Sequence, residues 1–388
     1  MEMNISSQKT KKYTKEDKTM IIMDLKIDNF FAFRNFHMNM SYPKKIVNSY
    51  IEDEFLAGRR NFRYKKVNIL MGANASGKTS IGKMLMKIFN FISKMQDSYL
   101  ISVICDHTKD ASFCMDFVAQ DYRMYRLDVK IEPAKEENDI KTVWACTRYV
   151  DILEKDSYET CVKKIEQIPL ELKSIYAEEL QKIERMGWLF SYPEDISSGI
   201  VNCSKNDKYP IVLDYTLRAL DPSVEAVEKI DIVENSYVIR MKNQDLVIQD
   251  GEVIKNNILS SGTKAGIDIA KMLAAIVNGD NGFYYCDEKF SYVHSDVEKA
   301  FLSVMICSLK ENDQLFFTTH NTDVLDLQLP KHAFTFLKKD IYDEETPIKC
   351  VSASDFLKRN TDSLRKAVEN DLFAIAPNLE LIYEIEDI

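Results

Sequence analysis

A short glycine-rich run has the residue types that hold a polyphosphate. The stretch GANASGKTS (72–80) fits the pattern GxxxxGK[ST] at every fixed position. Its glycines let backbone N–H groups point at phosphate oxygens, while Lys78 neutralises phosphate charge and the Thr79 hydroxyl binds Mg²⁺. The pattern predicts a site for a nucleoside triphosphate with Mg²⁺. The predicted binding residues are Gly72, Ala73, Asn74, Ala75, Ser76, Gly77, Lys78, Thr79 and Ser80.

Two carboxylates and a histidine supply groups that hydrolysis needs. The apolar run FYYCD ends in Asp287, Glu288 follows it directly, and the later run FFTTH ends in His320. One carboxylate at a strand end can hold the metal and its water, and a second can deprotonate the attacking water. We predict Thr79 and Asp287 at the metal, and Glu288 and His320 as catalytic residues. The alternative is ordinary surface charge after a strand, with a structural histidine.

A third group of small residues lies where a helix is predicted to begin. LSSGT (259–263) precedes apolar residues at helical spacing, so Ser260, Ser261 and Gly262 would lie at the helix N-terminus, where anions bind. The phosphate loop of the same chain is already complete. We therefore expect these three residues to contact a nucleotide held by another copy, although SSG is also a common helix cap and turn.

Strands and a helix must position these groups. VNILM (67–71) reads as a buried strand, and Ile81, Leu85 and Ile88 follow the loop at helical spacing. This gives the order strand, loop, helix that a phosphate loop requires. Further strands are predicted at IIMDLKIDNF, FHMNM, SYVIRM, DLVIQDGEVI, GFYYCD and QLFFTT, with a hairpin of FCMDFVA and YRMYRLDVKI turned at Gln120-Asp121.

The chain divides into a tail and one large domain. Residues 1–20 are polar and lysine-rich, which is typical of a flexible, solvated tail. Residues 21–388 carry every group named above and read as one domain. Residues 135–235 are charged, helical in pattern and interrupted by prolines, and we interpret them as an inserted helical lid rather than part of a sheet. The predicted fold class is α/β, with a mixed β-sheet, an antiparallel β-subdomain and this lid.

Composition limits the compartment and the partners. Eight cysteines occur without a CxxC pair, and no run approaches the roughly 20 apolar residues of a membrane span. We therefore expect a cytoplasmic protein with reduced thiols that does not bind a membrane. A formal charge of −10 argues against a generally nucleic-acid-coating surface. One local exception is GRRNFRYKK (58–66), whose basic residues alternate with aromatic ones and could bind nucleic acid. Its alternative interpretation is a solvated edge strand.

These motifs occur in an order that resembles a known family. GANASGKTS, LSSGT, CDEKFSYVH and TTHNTDVLD resemble the Walker A, signature, Walker B with D-loop, and switch-histidine segments of ABC-type ATPases. The resemblance is to the RecF, SMC and overcoming-lysogenization-defect group, and it covers nearly everything from residue 21 onward. It implies an ABC-ATPase head that binds ATP and Mg²⁺ and hydrolyses ATP. It also implies that Ser260 and Gly262 reach an ATP in a partner subunit.

The sequence departs from the family pattern at two places. The D-loop often has a proline after its histidine, where this chain has Ser295; Ser295 and Glu298 read instead as a capping box that still starts a helix. No glutamine can be assigned to the Q-loop, because Gln120 lies in a predicted hairpin. The full ligand set of the metal is therefore open.

The resemblance also suggests what the ATPase does. ATP is expected to join two heads into a homodimer, or a higher homo-oligomer, that hydrolysis releases. A short head with a helical lid most resembles ATPase components of bacterial anti-phage defence, which control a separately encoded effector, often a nuclease. Too few residues follow His320 for the nuclease domain of some relatives, so no nuclease activity is expected. The alternatives are a RecF-like ATPase that binds DNA in repair or replication, and a regulatory ATP-binding module with negligible turnover.

Overall fold

The structure is a computed structural model of the 388-residue chain. It describes residues 19–46, 49–119, 121–134, 142–184, 186–192, 207–230, 232–233, 235–242, 244–249, 252–253, 261–359, 362–375 and 380–387. The predicted tail lies outside these ranges except for Thr19 and Met20, which are buried, so the folded region begins slightly earlier than expected. None of the described helices is long and apolar enough to cross a bilayer.

Strands occur throughout the described part of the chain, with helices between some of them. In the described residues they are β1 (Met20–Asp28), β2 (Phe36–Asn39), β3 (Phe55–Leu56), β4 (Arg59–Arg63), β5 (Val67–Met71), β6 (Ala111–Ala119), β7 (Arg123–Glu132), β8 (Thr142–Asp151), β9 (Trp188–Ser191), β10 (Val224–Lys229), β11 (Ser236–Met241), β12 (Gln244–Gln249), β13 (Glu252–Val253), β14 (Phe283–Asp287), β15 (Gln314–Thr318), β16 (Phe334–Lys339) and β17 (Ile348–Ser352).

The longest helices follow the three predicted motifs. The described α-helices are α1 (Lys78–Lys94), α2 (Ser98–Ile101), α3 (Tyr158–Glu166), α4 (Tyr176–Leu180), α5 (Tyr209–Leu220), α6 (Ser261–Asn278), α7 (Ser295–Ser308), α8 (Ala353–Phe356), α9 (Leu364–Glu369) and α10 (Glu380–Tyr383). Short 3₁₀ helices span Thr322–Asp326, Lys331–Ala333 and Glu384–Asp387.

A mixed six-stranded sheet holds the phosphate loop at its centre. Its order is β17-β16-β5-β15-β14-β9; β17 runs antiparallel to β16, and the remaining neighbours are parallel. Every residue of β5, β14 and β15 is buried, as expected for parallel strands covered on both faces. Parallel strands end at the same edge of a sheet. The loop after β5, Asp287 and the residues after β15 therefore meet at one edge.

Helices and a second sheet cover the two faces of the central sheet. Leu70, Tyr285 and Phe316 belong to the core shared with α1 and the antiparallel sheet, whereas Ile69 and Phe317 belong to the core shared with α6 and α7. Alternate side chains of each strand thus enter opposite cores. The central sheet is the layer that joins both cores.

The other sheets are antiparallel. The largest has the order β2-β1-β6-β7-β8, and it contains the predicted hairpin of β6 and β7. A four-stranded sheet has the order β10-β11-β12-β13, and β3 pairs with β4. The predicted fold class is therefore confirmed in its mixed sheet and its antiparallel β-subdomain.

The structure differs from the predicted lid at two strands. β8 extends the antiparallel sheet beside β7, and β9 pairs in parallel with β14 in the central sheet. The expected helical character is present in α3, α4 and α5, and α5 packs against α6. The two strands were not predicted because residues 152–187, which lie between them, are charged and helical in pattern, and because β9 has only four residues. Residues 135–235 are therefore not one separate helical insertion.

Candidate active site

The phosphate loop joins β5 to α1 and has a conformation that requires small residues. Ala75 and Gly77 have positive φ angles of 59° and 103°, and Gly77 is the N-cap of α1. A Cβ atom at Gly72 would lie 2.4 Å from the carbonyl oxygen of Leu337. A glycine is therefore needed there because the loop passes against the backbone of β16. Asn74 and Ala75 are exposed at the tip of the loop.

Lys78 is folded back over the loop. Its Nζ donates hydrogen bonds to the carbonyl oxygens of Gly72 at 2.9 Å and Ala73 at 3.2 Å, and it lies 3.5 Å from Glu288 Oε1. The Tyr285 hydroxyl donates to the Lys78 carbonyl oxygen at 2.7 Å, which anchors the start of α1 to β14. Burial lowers the pKa of Lys78, and the charge of Glu288 opposes this shift. The ammonium group is thus held at the mouth of the loop.

Two threonines hold the carboxylate of Asp287. The Thr79 hydroxyl donates to Asp287 Oδ2 at 2.8 Å, and the Thr318 hydroxyl donates to Oδ1 at 2.7 Å. Burial raises the pKa of Asp287, whereas the two threonine hydrogen bonds lower it. The predicted pair of metal-binding residues is therefore in direct contact across 208 positions of sequence.

Glu288 and His320 form a second contact beside the first. His320 Nε2 lies 2.8 Å from Glu288 Oε1, and this hydrogen bond is the main cause that lowers the pKa of Glu288. Glu288 has a φ of 44°, and its backbone N–H donates to the Thr318 hydroxyl at 3.0 Å. The left-handed conformation turns the chain directly after Asp287, so adjacent carboxylates take different partners.

The residues present fit a nucleoside triphosphate with Mg²⁺. Ser76 Oγ is buried in the loop and finds no hydrogen-bond partner in the described part of the chain. A cavity of about 630 Å³ opens beside the loop and is lined by Ala73 and His320 among others. The Thr79 hydroxyl and the Asp287 carboxylate are hard oxygen donors of the kind that Mg²⁺ prefers. Ser80, in the first turn of α1, is half-buried.

The predicted signature segment is described in part. Ser260 lies outside the described residues, Ser261 is the first residue of α6, and Gly262 is half-buried in the first turn. Lys289 Nζ donates to Asp268 Oδ2 at 2.9 Å, which ties α6 to the loop that follows β14. The contact of this segment with another copy stays a prediction.

Thr318 and Tyr192 belong to the site but were not predicted from the sequence. Tyr192 follows β9, and the pairing of Ser191 with Cys286 places it level with Asp287. Burial raises the pKa of Tyr192, and the charge of Asp287 adds to the shift. Its buried hydroxyl has no hydrogen-bond partner in the ranges that the structure describes. The TTH run could have indicated Thr318, whereas Tyr192 gave no signal because β9 itself was not predicted.

The start of α7 differs from the predicted capping box. The N-cap is His294, whose side chain accepts a hydrogen bond from the helix backbone. Ser295 Oγ instead donates to Asp323, and Glu298 is buried against the loop after β15. Both side chains point away from the helix end because they bind this loop. Gln120, considered for the Q-loop, lies outside the described residues.

The basic and aromatic run at 58–66 is not an exposed stacking surface. Phe62 and Tyr64 are fully buried, and Lys65 and Lys66 are almost fully buried. The Arg59 guanidinium lies over a tyrosine ring and donates to a backbone carbonyl oxygen at 2.7 Å. Bases could not stack on these aromatic rings, so the run does not provide a platform for single-stranded nucleic acid.

Comparisons with known proteins give structural likeness and no sequence family. No protein-family model and no curated protein matches the chain. The SMC head bound to the C-winged helix domain of ScpA has 15% identity and a TM-score of 0.49, covering 89% of this chain and 99% of that chain. The SMC head domain from Thermotoga maritima has 14% identity and a TM-score of 0.40, covering 86% and 98%. The Pyrococcus furiosus SMC head bound to the C-terminal domain of ScpA has 13% identity and a TM-score of 0.45, covering 92% and 99%. At these TM-scores the fold assignment rests on the topology of the chain itself.

Proposed function

We propose that the chain binds ATP with Mg²⁺ and hydrolyses it. One observation carries the proposal: five predicted site residues meet at the carboxyl edge of the central sheet. Thr79 is hydrogen-bonded to Asp287, and Glu288 contacts both Lys78 and His320. These residues come from three strand ends that are far apart in sequence. A site built only for binding would not need the second carboxylate with its own histidine.

Each side chain has a role that follows from its contacts. Lys78 and the loop N–H groups hold the phosphates, and Thr79 with Asp287 holds Mg²⁺, which neutralises charge on the transferred phosphoryl group when bound. The Glu288 carboxylate is ionised at neutral pH, and the contact with His320 lowers its pKa further. As a carboxylate beside the phosphate loop it can accept a proton from the attacking water. His320 orients Glu288 through the 2.8 Å contact and lines the cavity beside the phosphate loop.

The ATPase is proposed to act as a switch between copies of itself. The phosphate loop already supplies the phosphate contacts within its own chain. Ser260, Ser261 and Gly262 at the start of α6 would therefore contact a nucleotide held by another copy. Two identical heads would then enclose two nucleotides in a two-fold dimer, or assemble further, and hydrolysis would release them. The ion pair of Lys289 with Asp268 supports this coupling, because it connects α6 to the loop after Glu288.

The cellular role is proposed from the family resemblance of the motifs. The chain would be the cytoplasmic ATPase component of a bacterial anti-phage defence system that controls a separately encoded effector. The alternative, a RecF-like ATPase that clamps DNA, depended on the basic and aromatic run at 58–66. Burial of Phe62 and Tyr64 removes that support.

The substitution Glu288→Gln tests the hydrolytic switch. The glutamine keeps the size of the side chain but cannot accept the proton, so ATP should bind without turnover and hold the dimer. Light scattering with ATP and Mg²⁺ should show the mass rise from the 44.9 kDa protomer to twice that value. Glu311→Gln, at an exposed position, is the matched control and should turn over ATP as the wild type does. Unchanged mass for Glu288→Gln with ATP would overturn the dimer model, and undiminished turnover would overturn the role of Glu288.

A further inference from the structure

A buried carboxylate joins α7 to the loop that carries His320. Glu298 is 4% exposed, although it lies in the first turn of a helix where acidic side chains are normally solvated. No cationic side chain is paired with it among the described residues. A buried carboxylate without a cation is costly unless hydrogen bonds satisfy it, so its presence calls for a specific role.

Both oxygens of Glu298 bind residues that flank His320. The Thr319 hydroxyl donates to Oε1 at 2.6 Å, and the Asn321 amide donates to Oε2 at 2.7 Å. The backbone N–H of Asn321 donates to the Thr319 hydroxyl at 2.9 Å, which closes the loop on itself. The residue before His320 and the residue after it are thus fixed by one carboxylate, and the histidine between them projects towards Glu288.

A second set of contacts fixes the same loop further along. Ser295 Oγ, one turn before Glu298, donates to Asp323, and Arg365 from α9 also binds Asp323, at 3.1 Å. The backbone N–H of Asp323 donates to Asn321 Oδ1 at 2.9 Å. The loop is therefore clamped between α7 and α9, and α7 begins where the loop after Glu288 ends. Helix α7 therefore supports both the loop that carries Glu288 and the loop that carries His320.

We propose that Glu298 is a positioning residue that sets the orientation of His320 relative to Glu288. The inference rests on the proposed hydrolytic function, and it assigns a role to a residue that does not itself touch the nucleotide. Glu298 acts through Thr319 and Asn321, since its own carboxylate is bonded to both.

Glu298→Ala and Glu298→Gln separate positioning from simple packing. Alanine leaves the Thr319 hydroxyl and the Asn321 amide without their acceptor, so kcat should fall by about 10–100-fold, with KM for ATP changed by less than about 2-fold because the phosphate loop is intact. Glutamine can accept from the Asn321 amide through its oxygen and donate to Thr319 Oγ through its nitrogen. Glu298→Gln should therefore keep most of the activity.

A double-mutant cycle with His320 identifies the route of the effect. If Glu298 acts through His320, Glu298→Ala should add almost nothing to the loss already caused by His320→Ala. Thr319→Val removes one hydrogen-bond donor to Glu298 with little change of shape, so it should also lower kcat. This variant keeps the test usable if Glu298→Ala fails to fold. Glu179, also buried and hydrogen-bonded but remote from the site, is the control: Glu179→Ala should lower thermal stability without lowering kcat.

The NMR signals of the histidine rings give a readout that does not require ATP turnover. The chain has five histidines, and the signal of His320 can be identified by its loss in His320→Ala. Glu298→Ala should shift or broaden that signal, whereas Glu298→Gln and Glu179→Ala should leave it in place. An unchanged His320 signal, or additive losses in the cycle, would overturn the positioning role. A wild type without turnover would instead overturn the proposed hydrolysis and leave the spectroscopic test standing.

Discussion

The hydroxyl of Thr79 donates a hydrogen bond of 2.8 Å to the carboxylate of Asp287. One residue belongs to the first turn of α1 and the other ends β14, so the contact joins the phosphate loop to the second motif. The Thr318 hydroxyl occupies the other oxygen of Asp287 at 2.7 Å. Asp287 is fully buried, and these hydroxyls are the groups that keep it oriented.

Loss of the Thr79 hydroxyl should weaken the use of Mg²⁺. Thr79→Ala removes one oxygen donor and leaves Asp287 Oδ2 without its partner, so the Mg²⁺ concentration for half-maximal ATP turnover should rise by about 10–100-fold. Thr79→Ser keeps the hydroxyl and serves as the matched control, with a metal dependence close to that of the wild type. A metal titration of turnover makes the comparison. An unchanged midpoint in Thr79→Ala would remove this residue from the metal site.

Gly82 should be intolerant of a methyl group even though it lies inside a helix. A Cβ atom there would approach the Tyr285 ring to 2.4 Å, and that ring is fully buried. The usual helix gain for Gly→Ala is about 1 kcal/mol, whereas overpacking a core costs about 1–3 kcal/mol. We expect Gly82→Ala to lower the free energy of unfolding in urea.

Gly266 in α6 provides the matched comparison. Its added Cβ would meet the side-chain ends of Leu220 at 2.7 Å and Leu217 at 3.0 Å. These ends can rotate away, whereas the Tyr285 ring is held by its neighbours and by the hydrogen bond to the Lys78 carbonyl oxygen. Gly266→Ala should therefore be the more stable variant of the two. The reverse order would show that the Tyr285 ring can move.

Asp313 should make stability fall as the pH rises. Burial raises the pKa of Asp313 from 3.8 to about 7, so between these values the folded chain holds a proton that the unfolded chain has released. Stability from this residue is then greatest at low pH, decreases up to about pH 7 and is flat above it. Asp313→Asn should add roughly 1–3 kcal/mol at pH 8 and almost nothing at pH 4.

Urea unfolding at both pH values measures the effect. The asparagine oxygen can still accept the hydrogen bond that Asp313 Oδ2 takes from the Lys310 backbone at 2.8 Å, so the comparison isolates the charge. Asp207→Asn, at an exposed position, is the control and should not alter the pH dependence of stability. An equal gain at pH 4 and pH 8 would contradict the assignment to ionisation.

The core of the candidate site could be predicted because its residues lie in short, local patterns. The glycines of the loop and Lys78 are fixed by a spacing that one strand, one turn and one helix enforce. Asp287, Glu288 and His320 follow apolar runs that read as buried strands. Parallel pairing then brings these strand ends to one edge, as the structure has them.

The remaining parts could not be predicted because they depend on contacts between distant segments. Tyr192 enters the site only through the pairing of β9 with β14, and four residues of strand give too little periodicity to detect. Glu298 looked like part of a helix cap because the sequence does not show that Thr319 lies against it. The aromatic residues Phe62 and Tyr64 looked available for stacking because alternation alone does not tell which face is covered.

The place of β5 in the central sheet has a consequence for synthesis of the chain. β5 lies between β15 and β16, which leave the ribosome more than two hundred residues later. Until then its row of backbone donors and acceptors has no partner on either side, and its five buried residues have no completed core. A stalled or truncated nascent chain would expose this strand to other chains and to chaperones. The strand that leads into the glycine-rich loop is thus synthesised more than two hundred residues before the strands that complete its place in the sheet.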